Sequence, residues 1–342
     1  MAFTTVNKSS ANVNNVTYTG NGGNQTITGV GFTPDFVWFK SADAGNSHAL
    51  VDSVRGTTKV LYADTTSSQQ TISAQTFNSD GFALVQDSGA NSINSNASVK
   101  TALSWRAGTT SGLSGGTITP SSYSFNAAAG FSIIAYTGTG SAATIPHGLG
   151  VAPKAIWVKR LDSSAGWCTY FENDGAGYYQ RLNTDGNRTA DNNIWNNTAP
   201  TTSLFSVGTD TDVNGSSATY VAYCFAPVQG YCRIGRYRGN TSSNGAFIYT
   251  GFKPQIIIIK EQSSTKNWFL WQDVRLGYNG GNRATSPNLA NSEQTSDHCD
   301  LLSNGFKFRD GDSNFNAAGN EYNYMAWGQT FVGTNNIPGT AY

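Results

Sequence analysis

One segment pattern occurs three times along this 342-residue chain. Each occurrence has a Tyr-x-Gly triplet, a Gly-x-x-Pro turn, a short apolar run and a lysine that ends the run, and the three span 18–40, 136–159 and 237–260. The distance from Tyr to Pro is 16, 17 and 17 residues, and that from Pro to Lys is 6 each time. Because a long pattern with fixed internal spacing marks a repeated structural unit, we predict three copies of one fold.

The apolar run of each copy predicts a central β-strand. The runs follow a proline, are mostly β-branched or aromatic, and cover 36–39, 155–158 and 256–259. Proline is tolerated where a strand begins, since its missing N–H costs no ladder bond there, and a nearly continuous apolar run favours a strand covered on both faces. The lysines that end the runs are expected to mark emergence into solvent: Lys40, Lys159 and Lys260.

The rest of each copy indicates short strands and tight turns. Further strands are predicted at 132–136, 220–225, 247–249 and 306–308, separated by Asn-Gly and Asp-Gly turn signals. No sustained helical periodicity is present. We therefore predict an all-β protein of three tandem, homologous β-sandwich or barrel-like units joined by short linkers.

The boundaries between the units follow from composition. The predicted parts are a first β-unit with an N-terminal tail at 1–107, a Gly/Ser/Thr-rich linker at 108–130, a second β-unit at 131–230, a third at 231–333 and a C-terminal tail at 334–342. The second boundary is very short, so the second and third units are expected to keep a fixed relation.

Low charge excludes several function classes. Charged residues make up 12% of the chain and the formal net charge is zero, so we predict no nucleic-acid partner and no anionic membrane surface. No apolar run reaches the roughly 20 residues that a membrane helix needs, and the first residues do not resemble a signal peptide. The cysteines share no CxxC spacing and predict free thiols in a reducing cytoplasm, with one chance bridge as the alternative: Cys168, Cys224, Cys232 and Cys299.

The histidines do not form a recurring reactive site. His147 is interpreted as a loop residue that holds a turn. His298 and Cys299 are adjacent on a predicted strand, so their side chains point to opposite faces and cannot form a catalytic dyad.

Acidic residues favour structural roles as well. Asp52 with Arg55, and Asp273 with Arg275, predict an ion pair inside the first and third units. The segment 310–314 faintly resembles a calcium loop but lacks the distal acid and the flanking helices of an EF-hand. We predict no catalytic residue, no cofactor and no metal site.

Tryptophan positions divide into two groups. Those at repeated strand positions predict core: Trp38, Trp105, Trp157 and Trp327. The aromatic residues of the diverged middles predict contacts with a ligand or a partner, either as stacking platforms for a sugar ring or as protein-interface anchors: Trp167, Trp195, Trp268, Trp271, Tyr178, Tyr179 and Tyr278.

Taken together, the motifs resemble a known domain family. The stretches that carry the likeness are 18–22, 31–38, 52–56, 77–82, 107–112 and 323–327. They resemble a domain family found in structural proteins of tailed bacteriophages, especially marine ones, over about residues 1–333. The resemblance implies a virion component on the tail or the particle exterior, and it carries no catalytic residue across.

The predicted function is therefore a non-enzymatic virion structural protein, made in the host cytoplasm. Its expected partners are other tail or capsid proteins and further copies of itself, with no membrane insertion; one unit would attach and the others would face solvent or a host surface. The alternatives are a receptor-binding fibre or spike module that holds host cell-surface glycan, and a capsid decoration protein. A glycan depolymerase is least expected, since it would need two carboxylates across one groove.

Overall fold

A computed structural model describes residues 4–73, 75–86, 92–275, 283–295 and 298–329. The fold is all-β, with 42% strand and 5% helix, which confirms the predicted class. The first part of the chain begins with a 3-10 helix (Ser9–Ala11) and then forms β1 (Val13–Thr19), β2 (Gln25–Ile27), β3 (Phe36–Ser41), β4 (Ala49–Asp52), β5 (Lys59–Tyr62), β6 (Gln70–Thr71), β7 (Thr76–Asn78), β8 (Gly81–Leu84) and β9 (Val99–Trp105).

The middle of the chain adds nine strands and two short helices. They are β10 (Ser122–Asn126), β11 (Phe131–Thr137), β12 (Ala143–Pro146), β13 (Ala155–Arg160), β14 (Trp167–Phe171), β15 (Tyr178–Arg181), β16 (Thr189–Ala190), α1 (Asn192–Trp195), β17 (Leu204–Val207), α2 (Thr211–Asn214) and β18 (Thr219–Phe225).

The last part of the chain forms eight strands. They are β19 (Cys232–Arg238), β20 (Phe247–Tyr249), β21 (Lys253–Glu261), β22 (Phe269–Gln272), β23 (Ala284–Thr285), β24 (Cys299–Leu302), β25 (Gly305–Phe308) and β26 (Glu321–Gln329), with a 3-10 helix (Asp273–Arg275) after β22.

The strands of the described residues form three large and three small antiparallel sheets. The large sheets have the orders β1-β9-β3-β4-β5-β6, β10-β11-β18-β13-β14-β15-β16 and β19-β26-β21-β22-β23. The small sheets have the orders β2-β8-β7, β12-β17 and β20-β25-β24. In every large sheet the strand that contains the repeated apolar run lies between two neighbours, and the run itself is wholly buried, which confirms the predicted central strands.

One hydrophobic core is shared by all three large sheets. One face of each sheet turns toward it, and the four tryptophans of the repeated strand positions meet there. The indole rings of Trp38 and Trp157 are 5.8 Å apart, and those of Trp105 and Trp327 are 5.4 Å apart. Their prediction as core residues is confirmed. Sheets from distant parts of the chain therefore share a single interior.

The opposite face of each large sheet packs on its own small sheet. Three separate outer cores result. Each contains one buried phenylalanine directly opposite an isoleucine of the edge strand: Phe82 opposite Ile27, Phe205 opposite Ile145, and Phe306 opposite Ile248. These pairs give the three small sheets a common register.

Main-chain hydrogen bonds also join the large sheets around the shared core. The N–H groups of Gln69, Arg188 and Glu293 donate to the carbonyls of Leu161, Gln262 and Ala42, at 2.9, 2.8 and 2.9 Å. The first of these bonds joins the first sheet to the second, the next joins the second to the third, and the last joins the third to the first. The ends of the described chain also meet, because Ser9 Oγ donates to Gln329 Oε1 at 2.6 Å.

The lysines that end the central strands do not emerge into solvent. Lys40, Lys159 and Lys260 are at most 1% exposed, so that prediction is wrong. Each ammonium group donates to a carbonyl beyond its own large sheet: Lys40 to Ala290 (2.9 Å), Lys159 to Thr66 (3.2 Å) and Lys260 to Asp185 (3.2 Å). Burial lowers the pKa of each lysine to about 8. These three lysines therefore link each large sheet to chain segments outside it.

The segment predicted as a linker, 108–130, contains regular structure. It forms β10, which pairs with β11 along five residues. Upstream of β10, the N–H groups of Thr117 and Ile118 donate to the carbonyl of Thr144 and so cover the edge of β12. The Gly/Ser/Thr-rich composition thus belongs to chain that protects two sheet edges.

Candidate functional site

The four tryptophans predicted as contact residues are not on the surface. Trp167, Trp195, Trp268 and Trp271 are at most 2% exposed, so none can stack on a ligand in this fold, and this part of the prediction is corrected. Two of them bridge large sheets instead. Trp167 Nε1 donates to the carbonyl of Tyr62 at 2.9 Å, and Trp268 Nε1 donates to that of Arg181 at 3.0 Å.

The predicted tyrosines have different environments. Tyr178 is 38% exposed, and the Arg188 guanidinium lies 5.0 Å from its ring centroid. Tyr179 is half-buried and packs against the Arg181 guanidinium at 5.2 Å. Tyr278 lies outside the described residues. Of the described candidates, Tyr178 is therefore the one with an accessible ring, and its role as a contact stays a prediction.

The predicted structural ion pairs are only half correct. Asp52 and Arg55 form a buried pair at 2.5 Å, and the Tyr223 hydroxyl donates to the same carboxylate oxygen at 2.7 Å. Arg275, by contrast, pairs with Glu293 at 2.6 Å and not with Asp273. Glu293 lies eighteen residues further along the chain than Arg275, so the local pattern from which the pair was predicted does not indicate it.

Histidine and cysteine side chains are held in structural positions. His147 Nδ1 accepts from the N–H of Leu149 at 3.2 Å and its Nε2 lies 3.1 Å from the carbonyl of Thr201, which confirms that it holds a turn. Burial lowers the pKa of this imidazole. His298 contacts Asp310 rather than Cys299. Within the described ranges no three His, Cys, Asp or Glu side chains are grouped to hold a metal ion, and the four cysteines form no disulfide.

An accessible apolar surface lies on the third small sheet. Strand β20 has the burial pattern exposed–buried–exposed: Phe247 is 45% exposed, Ile248 is 6% exposed and Tyr249 is 54% exposed. Because successive residues of a strand point to opposite faces, the two rings share the outer side of the sheet. Strand β20 is also an edge strand of that sheet.

Cationic side chains surround these two rings. Phe247 lies opposite Lys307, and Tyr249 lies opposite Gly305. A Cβ atom at Gly305 would come within 2.8 Å of the Phe247 ring, so the glycine leaves room for that ring above β25. The Arg233 guanidinium lies 5.6 Å from the centroid of Tyr249. We call Arg233, Phe247, Tyr249 and Lys307 the outer aromatic face.

Corresponding positions of the other small sheets carry small, uncharged residues. In the common register Phe247 corresponds to Thr26 and Thr144, and Lys307 to Ala83 and Ser206. One position past the shared isoleucine, Tyr249 corresponds to Thr28 and Pro146. In the large sheets, the register against the last strand places Arg233 at the position of Asn14 and Ser132. Sequence reasoning looked for contacts in the diverged middles and missed this site, although aligning the three copies would have revealed it.

A shallow cavity is a second feature of the surface. It has a volume of about 300 Å³ and lies between the start of the described chain and the turns at 127–130 and 226–229. Its lining is hydroxyl, amide and small apolar groups such as Thr4, Val228 and Gln229. No charged side chain lines it, so it offers little to orient a ligand.

One protein-family model matches residues 8–330, almost the whole chain. The chain belongs to the DUF7483 family, which is described as a domain of unknown function. No curated protein matches the sequence. The match begins just before the first 3-10 helix and ends just after β26, so one DUF7483 domain contains all six described sheets and the outer aromatic face. None of its described helices has the length and hydrophobicity needed to cross a bilayer.

Proposed function

We propose that this DUF7483 domain is a non-enzymatic structural protein of a tailed-bacteriophage virion, exposed on the tail or the particle exterior. It consists of three copies of one β-sandwich unit that have closed into one body. The likeness of its repeated motifs to phage structural proteins supports the assignment to a virion. Five consecutive strands follow the same order in each large sheet, with one added strand beside β11 in the second, and this supports the triplication.

The observation that carries the proposal is the core shared by the three large sheets. A body closed in this way, and tied by three buried lysines, does not bend between its units. It presents one fixed surface, which suits a component that must fit among many copies of a partner. Because only 12% of its residues are charged, contact surfaces can be buried in an assembly with few ions to desolvate.

The shared core also refines how such a protein attaches to a particle. Units that behaved as separate beads could leave one unit bound and two free to swing. Here the inner faces of all three large sheets are occupied by one another, so the body attaches as a whole and exposes its outer faces.

Mass spectrometry of purified virions tests the proposal. We expect peptides of this protein in gradient-purified particles at a constant ratio to a major capsid or tail protein, and immunogold label on the tail or the particle exterior. Labelling along the capsid in place of the tail would assign it to capsid decoration. Presence in the infected-cell lysate together with absence from intact particles would refute the proposal.

A second function, binding to a host-surface receptor, is favoured by the outer aromatic face. Exposed aromatic rings beside charged side chains are typical of recognition surfaces. Adsorption of particles to host cells, compared between native particles and particles carrying Tyr249→Thr, tests this role. A receptor function requires slower adsorption with normal particle yield.

A further inference from the structure

We propose that the outer aromatic face binds an acidic polysaccharide, with the two rings stacking on sugar rings and the two cations pairing with their carboxylates. This inference rests on the proposed function for its setting and deepens it by naming the class of ligand that the exterior surface recognises. The four residues that carry it are Arg233, Phe247, Tyr249 and Lys307.

The exposure of the two rings fits a sugar chain. Phe247 and Tyr249 are two residues apart on one side of β20 and are about half exposed, so their Cα atoms are separated by about 6.8 Å. A chain of pyranose rings that lies along the strand can present an apolar C–H face to each aromatic ring. Gly305 leaves space beneath the first ring, and Arg233 packs against the second.

The charges beside the rings favour an anionic ligand. Arg309, on the same side of the third small sheet, is already paired with Asp300. Lys307 and Arg233 form no ion pair with any carboxylate of the described residues. The Arg233 guanidinium lies near the side chain of Tyr324. Asp300 lies opposite Lys307 but is paired with Arg309, so the two cations next to two accessible rings complement a polymer that carries one carboxylate on each sugar.

The repeat itself shows that the fold does not need these side chains. The other two small sheets have the same Ile–Phe pairing but carry Thr26 and Ala83, or Thr144 and Ser206, at the corresponding positions. Threonine occupies the position of Phe247 in both other small sheets, and the Ile–Phe pairing is kept there. The joint change of four positions in one copy therefore points to a ligand.

Size decides between a polysaccharide and a protein partner. A stable protein interface buries about 800 Å² on each side, from some 20–30 residues. The outer aromatic face has four side chains, and the large apolar side chains exposed elsewhere in the described residues, such as Val151 and Tyr178, belong to other parts of the chain. A ligand one or two sugar rings wide matches an area of this size.

Affinity electrophoresis on the full-length protein tests the inference. Native gels cast with polygalacturonate, with dextran or with neither polymer are compared for the native protein and for Phe247→Thr, Tyr249→Thr and Lys307→Ser. These substitutions copy residues that the other two small sheets carry at the same positions, so folding is preserved, and circular dichroism checks it. Val151→Thr is the control, because Val151 is also an exposed apolar side chain but lies outside the outer aromatic face.

We expect polygalacturonate to retard the native protein and the Val151→Thr control, and dextran to retard neither. Each ring substitution should weaken binding about tenfold, and added salt should weaken it further because the carboxylates are screened. The inference is overturned by unretarded native protein, by retained binding after both ring substitutions, by equal loss in the control, or by equal retardation in dextran. A dimer of the native protein that both ring substitutions abolish would assign the face to a second copy and overturn it as well. Because purified protein is used, failure here is separate from absence of the protein from virions.

Discussion

Trp105→Ala tests whether the three large sheets unfold as one body. Trp105 is 1% exposed in the shared core. Its ring centroid lies 5.3 Å from that of Phe36 in its own sheet, 6.5 Å from Phe131 of the second sheet and 5.4 Å from Trp327 of the third. One substitution therefore removes contacts to all three sheets.

The expected loss can be worked from the burial of this side chain. A buried tryptophan removes about 150–250 Å² from water, worth about 4–6 kcal/mol at 25 cal/mol per Å², and measured Trp→Ala losses are about 3–5 kcal/mol. The indole N–H of Trp105 has no hydrogen-bond partner among the described residues, so no bond is lost and one buried unsatisfied group disappears. We therefore expect the free energy of unfolding to fall by about 3–4 kcal/mol.

Denaturation combined with hydrogen exchange measures both the size and the reach of this loss. The denaturation midpoint should fall in one transition, and amides of β26 in the third large sheet should exchange several hundredfold faster, which is the factor that about 3–4 kcal/mol corresponds to. Tyr178→Ala, at an exposed site, should change stability by less than about 0.5 kcal/mol. Faster exchange in β9 with unchanged exchange in β26, or two separate transitions, would refute the shared-core argument.

Three further outcomes follow from the buried polar groups. Burial raises the pKa of Asp174 to about 6, so the folded state binds this proton more tightly than the unfolded state does. The free energy of unfolding should therefore fall by at most about 3 kcal/mol as the pH rises from about 4 to 7. Asp174→Asn should flatten this pH dependence in urea titrations, and an unchanged pH dependence would contradict the prediction. Lys159→Met leaves the carbonyls of Thr66 and Ala165 without their ammonium donor. Thermal unfolding should show a free energy of unfolding lower by about 1–3 kcal/mol, whereas equal stability would exclude a role of Lys159 in linking the sheets. Burial raises the pKa of the Cys224 thiol to about 12, so a thiol reagent at pH 8 should modify it only in denaturant, and rapid labelling of native protein would contradict its burial.

The central strands could be predicted because their signal is local. A proline, one further residue and then four apolar residues indicate where the strand lies and how fully it is covered. The runs in β3, β13 and β21 are buried as that signal predicts, although β21 already begins at Lys253, before Pro254. The strand at 247–249 is predicted from an equally local signal. Such features depend on neighbours along the chain and survive any arrangement of the sheets.

The lysines and the bridging tryptophans could not be predicted, because their burial depends on the packing of sheets that are distant in sequence. Lys159 ends an apolar run, which predicts solvent for an isolated unit, but a turn of the first sheet covers it. Trp268 lies in a diverged region that suggested an exposed loop, whereas its indole contacts the carbonyl of Arg181 across the boundary between two sheets. Local patterns do not state which faces of the three large sheets turn inward.

The hydrogen bond between Ser9 and Gln329 has a practical consequence. Because the two ends of the described part lie side by side, a linker can close the chain there and the chain can be opened at another connection. A circular permutant, in which a short peptide joins the two ends and new termini lie in the connection at 226–231, should keep the spectrum and the melting behaviour of the native protein. Two fragments expressed separately from that cut should likewise recombine into the native body.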